Sequence, residues 1–268
     1  MSLRGWLARW RGWREARTLD RRAIPDPLWQ LTLARFPFLA LRSDDDLARL
    51  RELTTLFLAD KEFAGMQGLE VDDGMAVAIA AQACVPVLKL GLACYAGFKG
   101  IVVHPDAVVA RREVTDEVGV VHHYDEELSG EAMAGGPVML SWRDVAEAGD
   151  SAEWGYNVVI HEFAHVLDMR DGVADGMPLL PDRAAQQRWR RVIDAEWAEF
   201  CAQVDAGEDT LLDPYGAEAV DEFFAVASEV FFVAGLELRR EHPVLYELLA
   251  GYYCQNPATP LTPLSAAK

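Results

Sequence analysis

The stretch that decides the fold is VVIHEFAHVLD, residues 158–168, in which His161, Glu162 and His165 interrupt an apolar run that ends at Asp168. On a helix, side chains four positions apart lie on one face, so both imidazoles point the same way and Glu162 lies beside them. The remaining positions are apolar, which indicates a helix buried on its other sides. Because unpaired polar groups are costly to bury, the two histidines predict a metal site.

Zinc is the metal that this pattern favours. Neutral imidazoles suit its borderline softness, and a catalytic zinc site has three protein ligands with water in the fourth position. The segment therefore predicts His161 and His165 as ligands of one Zn²⁺ and Glu162 as the general base. HExxH on a helix is the pattern of zinc peptidases, so peptide hydrolysis is the first functional prediction.

The third ligand is not decided by spacing. The extended pattern HExxHxxGxxH needs Gly at 168 and His at 171, but the chain has Asp168 and Asp171. A carboxylate from a second helical segment is the next option. The candidate carboxylates in and just before that segment are Asp213, Glu218, Glu222 and Glu229. Glu222 and Glu229 are seven positions apart, hence on one helix face, and on these grounds the choice stays open.

Seven runs of residues carry a family resemblance: MQG at 66–68, CVPVL at 84–88, GPVMLSW at 136–142, IHEFAHVLD at 160–168, LDPY at 212–215, EFFAV at 222–226 and SEVFF at 228–232. Together they resemble the Mlc titration factor A family of bacterial zinc peptidases, over about residues 25–257. The resemblance implies that Glu222 is the third zinc ligand. It also implies that Glu229 steadies a ligand histidine from outside the coordination sphere.

That family is distantly similar to the catalytic domain of anthrax lethal factor, which has a tyrosine seven residues before its ligand glutamate. The corresponding residue here is Tyr215. The resemblance implies that its phenol donates a hydrogen bond to the oxyanion that develops during hydrolysis. Asp168 is predicted either to hold a ligand histidine from outside or to cap the helix end near Gly172.

The remainder of the chain predicts an α+β domain that is mostly helical. Helix starts are indicated at Ser43 and Asp72, further helices at 154–169, 184–204, 217–238 and 243–253, and strands at 100–104, 118–124 and 137–142. Helices around a small mixed sheet suit one α+β unit. The resemblance implies a single zincin-like metallopeptidase domain over residues 25–257, with residues 258–268 as a tail.

The strand predicted at 137–142 has two readings. Its residues Val138, Met139 and Leu140 either form an edge on which an extended peptide substrate pairs, or belong to an ordinary core strand. His104, His122 and His123 lie in or near the predicted strands. They are expected to be ordinary polar residues, although His122 or His123 could line the cleft.

Charge is unevenly distributed along the chain. The formal net charge is −18, but residues 1–22 carry seven arginines against two acidic residues, which leaves about −23 for the rest. An acidic body repels phosphates, so no nucleic-acid partner is expected. Residues 1–24 predict a basic amphipathic arm with leucines and tryptophans near helical spacing. Such an arm can lie on an anionic membrane surface, dock a partner, or fold onto the acidic body.

The chain shows neither an apolar run typical of a signal peptide nor a transmembrane segment. Its most apolar stretch, residues 74–98, is interrupted by Gln82, Pro86 and Lys89. Four widely spaced cysteines without a CxxC pair indicate reduced, buried thiols, and a cytoplasmic location is expected. Nothing in the spacing of Cys201, Cys254 and His242 supports a cysteine nucleophile.

The sequence thus predicts a zinc peptidase that acts on a peptide or protein substrate, with aminopeptidase and endopeptidase action both open. The family resemblance adds a partner, a transcriptional repressor of sugar uptake, since the family is named for binding one. Two alternatives stay open. One is a regulatory binding module with a latent or vestigial zinc site, and the other is a metallohydrolase that cleaves a non-peptide bond.

Overall fold

The computed structural model describes residues 3–115, 121–148 and 155–258, and within these ranges all side chains except those of 3–9, 11 and 109–128. Its helices are α1 Leu3–Arg22, α2 Asp26–Arg35, α3 Pro37–Ala40, α4 Asp44–Asp60, α5 Asp73–Cys84, α6 Trp142–Glu147, α7 Val158–Asp168, α8 Arg183–Asp205, α9 Val220–Val233, α10 Gly235–Glu241 and α11 Pro243–Tyr253. Its strands are β1 Glu62–Gly65, β2 Gly100–His104, β3 Val108–Thr115, β4 Val121–Leu128, β5 Gly130–Ala132 and β6 Val138–Ser141. The prediction of a mostly helical α+β fold, consistent with a zincin-like domain, is confirmed.

The strands form a mixed sheet and a separate hairpin. The sheet has the order β1-β2-β6-β5, in which β1, β2 and β6 run parallel and β5 runs antiparallel to β6. Strands β3 and β4 pair antiparallel with each other. In the described sheet, β5 is therefore the edge strand on the side opposite β1.

Several helices begin or end at capping side chains or near a proline, which can be recognised in the sequence. The side chains of Ser43 and Asp72 accept hydrogen bonds from backbone N–H groups three residues on, which caps α4 and α5. Helix α5 ends at Cys84, two residues before Pro86, because proline has no backbone N–H with which to continue the helical hydrogen bonding. The Asn157 side chain caps α7 by accepting from the Ile160 N–H at 2.9 Å.

The single helix predicted over 217–238 is wrong. Helix α9 ends at Val233, Ala234 leaves the helical region with φ −127°, and α10 begins at Gly235. A Cβ at Gly235 would come within 3.2 Å of the Pro257 ring. Pro257, in the chain after α11, packs against the break between α9 and α10. A contact between residues so far apart in the sequence cannot be predicted from the local apolar periodicity.

Helix α7 lies at the centre of the core. Phe163, on its buried side, packs against the rings of Phe57, Tyr95 and Phe98 with centroids 5.7, 4.9 and 5.9 Å away. Burial of one such side chain contributes about 1.5–3 kcal/mol to stability. This anchorage fixes the rotation of α7, and the opposite face carries its histidines.

The basic arm is helical, as predicted, and α1 packs against α4. Trp10 and Trp13 nevertheless stay about half exposed, with the guanidinium groups of Arg14 and Arg17 over their rings. None of the helices in the described ranges has the length and apolar character that crossing a membrane requires.

All four cysteines are unpaired. The expectation that they are all buried is wrong, because only Cys84 is buried and Cys254 is exposed at the end of α11. Three predicted features fall wholly or partly outside the described part of the chain: the strand at 118–124, the start of the helix at 154–169, and the tail at 258–268.

Candidate metal centre

The structure brings His161, His165 and Glu222 together across α7 and α9. The Nε2 atoms of the two histidines lie 3.2 Å apart, and Glu222 Oε2 lies 3.0 Å from His161 Nε2 and 3.3 Å from His165 Nε2. Two imidazole nitrogens and one carboxylate oxygen converge on one point. Among the described residues, this is the group that could hold a metal ion.

The spacing of these three atoms fits zinc. Zinc binds histidine nitrogen and carboxylate oxygen at about 2.0–2.2 Å, which places tetrahedral ligand atoms roughly 3.3–3.5 Å from one another. The observed separations of 3.0–3.3 Å are close to these values. The donor set of two imidazoles and a carboxylate is also one of the common catalytic zinc sets.

Glu229 supports His161 from its other side. Its Oε1 lies 2.7 Å from His161 Nδ1, and its side chain is only 3% exposed. A carboxylate there accepts the Nδ1–H, so the lone pair of the ring is on Nε2, the atom that faces Glu222. The position matches the role that the family resemblance implies for this residue.

Behind Glu229 lies a buried polar network that the sequence did not reveal. The other oxygen of Glu229 accepts the backbone N–H of Asn157, and the Asn157 Nδ2 donates to Gln82 Oε1 at 2.7 Å. Gln82 in turn donates to the Ala78 carbonyl within α5. Asn157 and Gln82 are both fully buried. Three helices, α5, α7 and α9, are thus joined at the metal-facing histidine.

The acid and base groups of the cluster shift each other's pKa values. Burial disfavours the charged form of His161, but its hydrogen bonds to Glu222 and Glu229 outweigh this and raise its pKa well above the usual value. Burial alone would raise the pKa of Glu222, yet the hydrogen bonds to both histidines bring it well below its ordinary range. Without a metal, the cluster therefore holds a proton on His161.

Glu162 is held in a different environment on the same helix. Its side chain is 4% exposed, and burial raises its pKa to about 7, with His161 and His165 opposing the shift. It touches β5 at Gly130, where an added Cβ would meet the Glu162 Cγ and Cδ at 2.7 Å. A cavity of about 340 Å³ opens here, with Glu162, His161 and Gly130 in its wall.

Tyr215 and Asp213 also line this cavity. Tyr215 is 38% exposed, and its ring centroid is 6.1 Å from that of His161. Asp213 accepts the Tyr215 backbone N–H at 2.9 Å, which places it outside the three-ligand cluster. Glu218 lines the same cavity without joining the cluster.

Asp168 has its hydrogen bond elsewhere. The carboxylate accepts the backbone N–H of Gly176 at 2.9 Å, and its second oxygen is buried without a hydrogen-bond partner. Burial raises its pKa to about 6. Asp168 was predicted either to hold a ligand histidine or to cap the helix end near Gly172, and its hydrogen bond instead ties the loop at Gly176 to the end of α7.

The predicted substrate strand is in the sheet interior. Val138, Met139 and Leu140 lie in β6, which pairs with β2 on one side and β5 on the other, so of the two predicted readings the substrate edge is wrong and the core strand is observed. Val138 and Leu140 are also buried. The flanking strand β5 was too short to recognise, and it takes the edge position. His104 is buried in β2, and the side chains of His122 and His123 lie outside the described part.

A mostly helical domain with this cluster has the architecture of a metallopeptidase. The chain belongs to the family described as glucose-regulated metallo-peptidase M90, whose sequence model matches residues 10–254.

Its relatives align over nearly the whole chain. An uncharacterized protein of Synechocystis sp. is 38% identical, covering 92% of this chain and 90% of its own. The Mlc titration factor A of Cronobacter sakazakii is 34% identical over 91% of each chain, and that of Klebsiella pneumoniae is 35% identical over 85% of this chain and 86% of its own. The resemblance stated from the motifs is confirmed.

Proposed function

We propose that this protein is a zinc-dependent peptidase with His161, His165 and Glu222 as the metal ligands. The observation that carries the proposal is the position of Glu162. It is buried on the same helix as the two ligand histidines, and it lines the same cavity as His161. A structural zinc site is closed by four protein ligands, whereas three ligands beside a cavity leave space for water and substrate.

The proposed reaction is hydrolysis of a peptide bond. Zinc held by these residues supplies Lewis acidity that activates water and polarises the scissile carbonyl. Glu162 takes the proton of the attacking water as the oxygen bonds to the carbonyl carbon, and later delivers that proton to the leaving amine as the C–N bond breaks. Burial raises the pKa of Glu162 to about 7 in the metal-free protein, and the charge of a bound ion would favour the carboxylate, the form that accepts the water proton.

Tyr215 and Glu229 complete the proposed machinery. The Tyr215 ring is near His161 and lines the same cavity, from which its phenol can reach toward the developing oxyanion. Glu229 keeps His161 in the tautomer whose Nε2 is available to the metal. Tyr215→Phe then lowers kcat more than it raises KM, since the phenol interacts mainly with the transition state.

For the substrate we propose pairing along the free edge of β5. This strand replaces the interior strand β6 as the candidate docking edge, and its Gly130 lies directly against Glu162. An extended peptide gains main-chain hydrogen bonds on such an edge. Its scissile bond would then come close to Glu162.

The experiment that tests the proposal combines metal content with activity. Elemental analysis and hydrolysis of a chromogenic peptide are measured for the wild type, Glu162→Gln and Glu222→Ala, with an ester substrate beside the peptide. Glu237→Gln, at an exposed position on α10, is the matched control. We expect about one zinc per chain in the wild type. Glu162→Gln should keep the metal and lose about 10²–10⁴-fold in kcat.

Three results would contradict the proposal. Near-normal hydrolysis by Glu162→Gln would show that Glu162 is not the general base. Zinc retained by Glu222→Ala would show that the third ligand is Asp213 or Glu229 instead. Cleavage of the ester without the peptide would favour a non-peptide hydrolase instead.

A second proposal concerns binding rather than catalysis. Relatives that align over most of this chain are named Mlc titration factor A, and on that ground we propose that this protein also binds an Mlc-like repressor. Titration calorimetry of the purified pair, with wild type and with Glu162→Gln, tests it. Equal affinity of both forms is expected if binding does not need catalysis, and no heat of binding would exclude this partner.

A further inference from the structure

A second cavity lies beside α7, beyond the end of the edge strand β5. We call it the Met133 pocket after its most exposed apolar wall residue. Its volume is about 470 Å³, and its apolar walls are Cys94, Phe98, Met133, Val166 and Met169. None of these residues belongs to the ligand cluster or lines the cavity that opens on it.

The pocket and the metal centre lie on one continuous face of α7. Glu162, Val166 and Met169 are spaced four and three positions apart, so they form a single stripe along the helix. Glu162 is at the catalytic end of the stripe, and Val166 and Met169 are in the pocket wall. The distance along the axis from Glu162 to Met169 is about 10 Å at 1.5 Å per residue.

The edge strand follows this stripe in the same direction. Gly130, at the start of β5, touches Glu162, and Met133, one residue past its end, lines the pocket together with Val166. Three residues of strand also span about 10 Å. Helix α7 and strand β5 therefore run side by side from the general base to the Met133 pocket, and a peptide paired on β5 would follow the same line.

The chemistry of the pocket selects apolar side chains. Met133 is 47% exposed, an unusual position for a large apolar side chain, and the sulfur-containing residues Cys94 and Met169 complete a soft, adaptable wall. Arg170 and Asp171 lie at the exposed rim with opposite charges. Their charges offset each other, so the pocket offers no net charge to attract an ionic side chain.

The strand direction fixes which part of a substrate reaches the pocket. A peptide that pairs antiparallel with β5 places its scissile bond near Gly130 and runs toward its own amino terminus as β5 runs toward Met133. The side chain that arrives at the pocket is then two or three residues before the scissile bond. A peptide paired parallel would bring a residue after the scissile bond instead.

We propose that the Met133 pocket is a specificity subsite for a large apolar side chain two or three residues on the amino-terminal side of the cleaved bond. This rests on the proposed peptidase activity and deepens it. The enzyme then favours substrates with several residues before the scissile bond over single aminoacyl groups.

The experiment uses the zinc-loaded full chain and internally quenched peptides that differ at one position at a time. Leu or Phe at the second or third residue before the cleaved bond is compared with Gly, Asp and Lys, and products are identified by mass spectrometry. We expect Leu and Phe to raise kcat/KM by about tenfold to a hundredfold, the range typical of an apolar pocket. An aminoacyl anilide should be cleaved more slowly than any of the longer peptides.

Met133→Glu tests the pocket itself. It should reverse the preference, so that Lys at the selected position becomes better than Leu. Met66→Glu is the matched control, because Met66 is a comparably exposed methionine just after β1, at the opposite edge of the sheet. It should leave the preference of the wild type intact.

Each outcome separates the subsite from the peptidase activity. If the wild type cleaves peptides but shows no apolar preference before the scissile bond, or shows it after that bond, the subsite assignment is wrong and the peptidase stands. An unchanged profile in Met133→Glu has the same meaning. If zinc-loaded wild type cleaves none of the peptides, the peptidase proposal fails and the subsite falls with it.

Discussion

The two glutamates of α9 show how position decides the role of one residue type. Glu222 and Glu229 are two turns apart on one face, and both bond to His161, yet Glu222 is 20% exposed on the Nε2 side while Glu229 is 3% exposed on the Nδ1 side. The pKa of Glu222 is lowered by its histidine partners, and that of Glu229 is raised because burial outweighs the same kind of partner. The cluster thus has a more exposed side at Glu222, here called the open side, and a more deeply buried side at Glu229, here called the closed side.

The largest expected effect is on zinc affinity, which should differ between a variant of Glu222 and a variant of Glu229. Glu222→Ala should weaken zinc binding by more than about 100-fold, beyond the 10–100-fold typical of losing an outer carboxylate, because it removes a ligand atom. Glu229→Gln should weaken zinc binding by about 10–100-fold, because it changes only an outer carboxylate. Competition with a fluorescent chelator measures both. If the two variants lose equal zinc affinity, the assignment of Glu222 as a ligand and Glu229 as a supporting residue is wrong.

The next effect tests the open side alone. Gly130→Ala places a methyl group where the Glu162 side chain now lies, so the carboxylate must move. A displacement of about 1 Å in a reacting group can cost about 10²-fold in rate. We expect such a loss in kcat with zinc content unchanged. Gly251→Ala, on α11 with open space around its Cα, is the control and should keep full activity.

A smaller effect tests the closed side through stability. Asn157→Ala removes the cap on the Ile160 N–H and leaves Gln82 Oε1 without its donor. The cost should be about 1–3 kcal/mol of unfolding free energy, measured by urea denaturation of the metal-free protein. Ser43→Ala removes an exposed cap with no buried partner and should cost less. If the two variants lose equal stability, the buried network adds nothing beyond an ordinary cap.

The smallest effect concerns pH. In the metal-free protein the raised pKa of His161 means that zinc must displace a proton, so affinity falls as pH falls. The slope should be about tenfold per pH unit for each proton displaced. Titration calorimetry in buffers of different ionisation enthalpy counts the protons released. In Glu229→Gln fewer protons should be released, since one of the bonds that raise this pKa is lost.

The sequence predicts elements whose evidence is local. The strand at 100–104 and the helix at 243–253 were predicted with the bounds observed, since proline, glycine and apolar periodicity mark their ends. The HExxH spacing predicted two converging histidines, because helix geometry alone brings them together. The third carboxylate needed the family resemblance, since spacing left four candidates.

What the sequence missed depends on contacts between distant residues. Strand β5 has three residues, too few for a period, and its importance comes from the contact of Gly130 with Glu162, 32 positions along the chain. The bond between Gln82 and Asn157 joins residues 75 positions apart. Neither residue type nor local pattern distinguishes such a pair from ordinary helix caps and core glutamines.

Glu229 makes hydrogen bonds to His161 and to the backbone N–H of Asn157 at the start of α7, and these bonds affect the order in which the protein folds and takes up its metal. The histidine pair and its carboxylate neighbours are held by hydrogen bonds between protein groups and by an apolar core, neither of which includes a metal ion as a partner. Zinc-finger peptides, by contrast, need their ion in order to fold. We expect this chain to fold first and take up its ion afterwards. The supply of zinc would then set how many finished molecules are active, while the amount of folded protein stays the same.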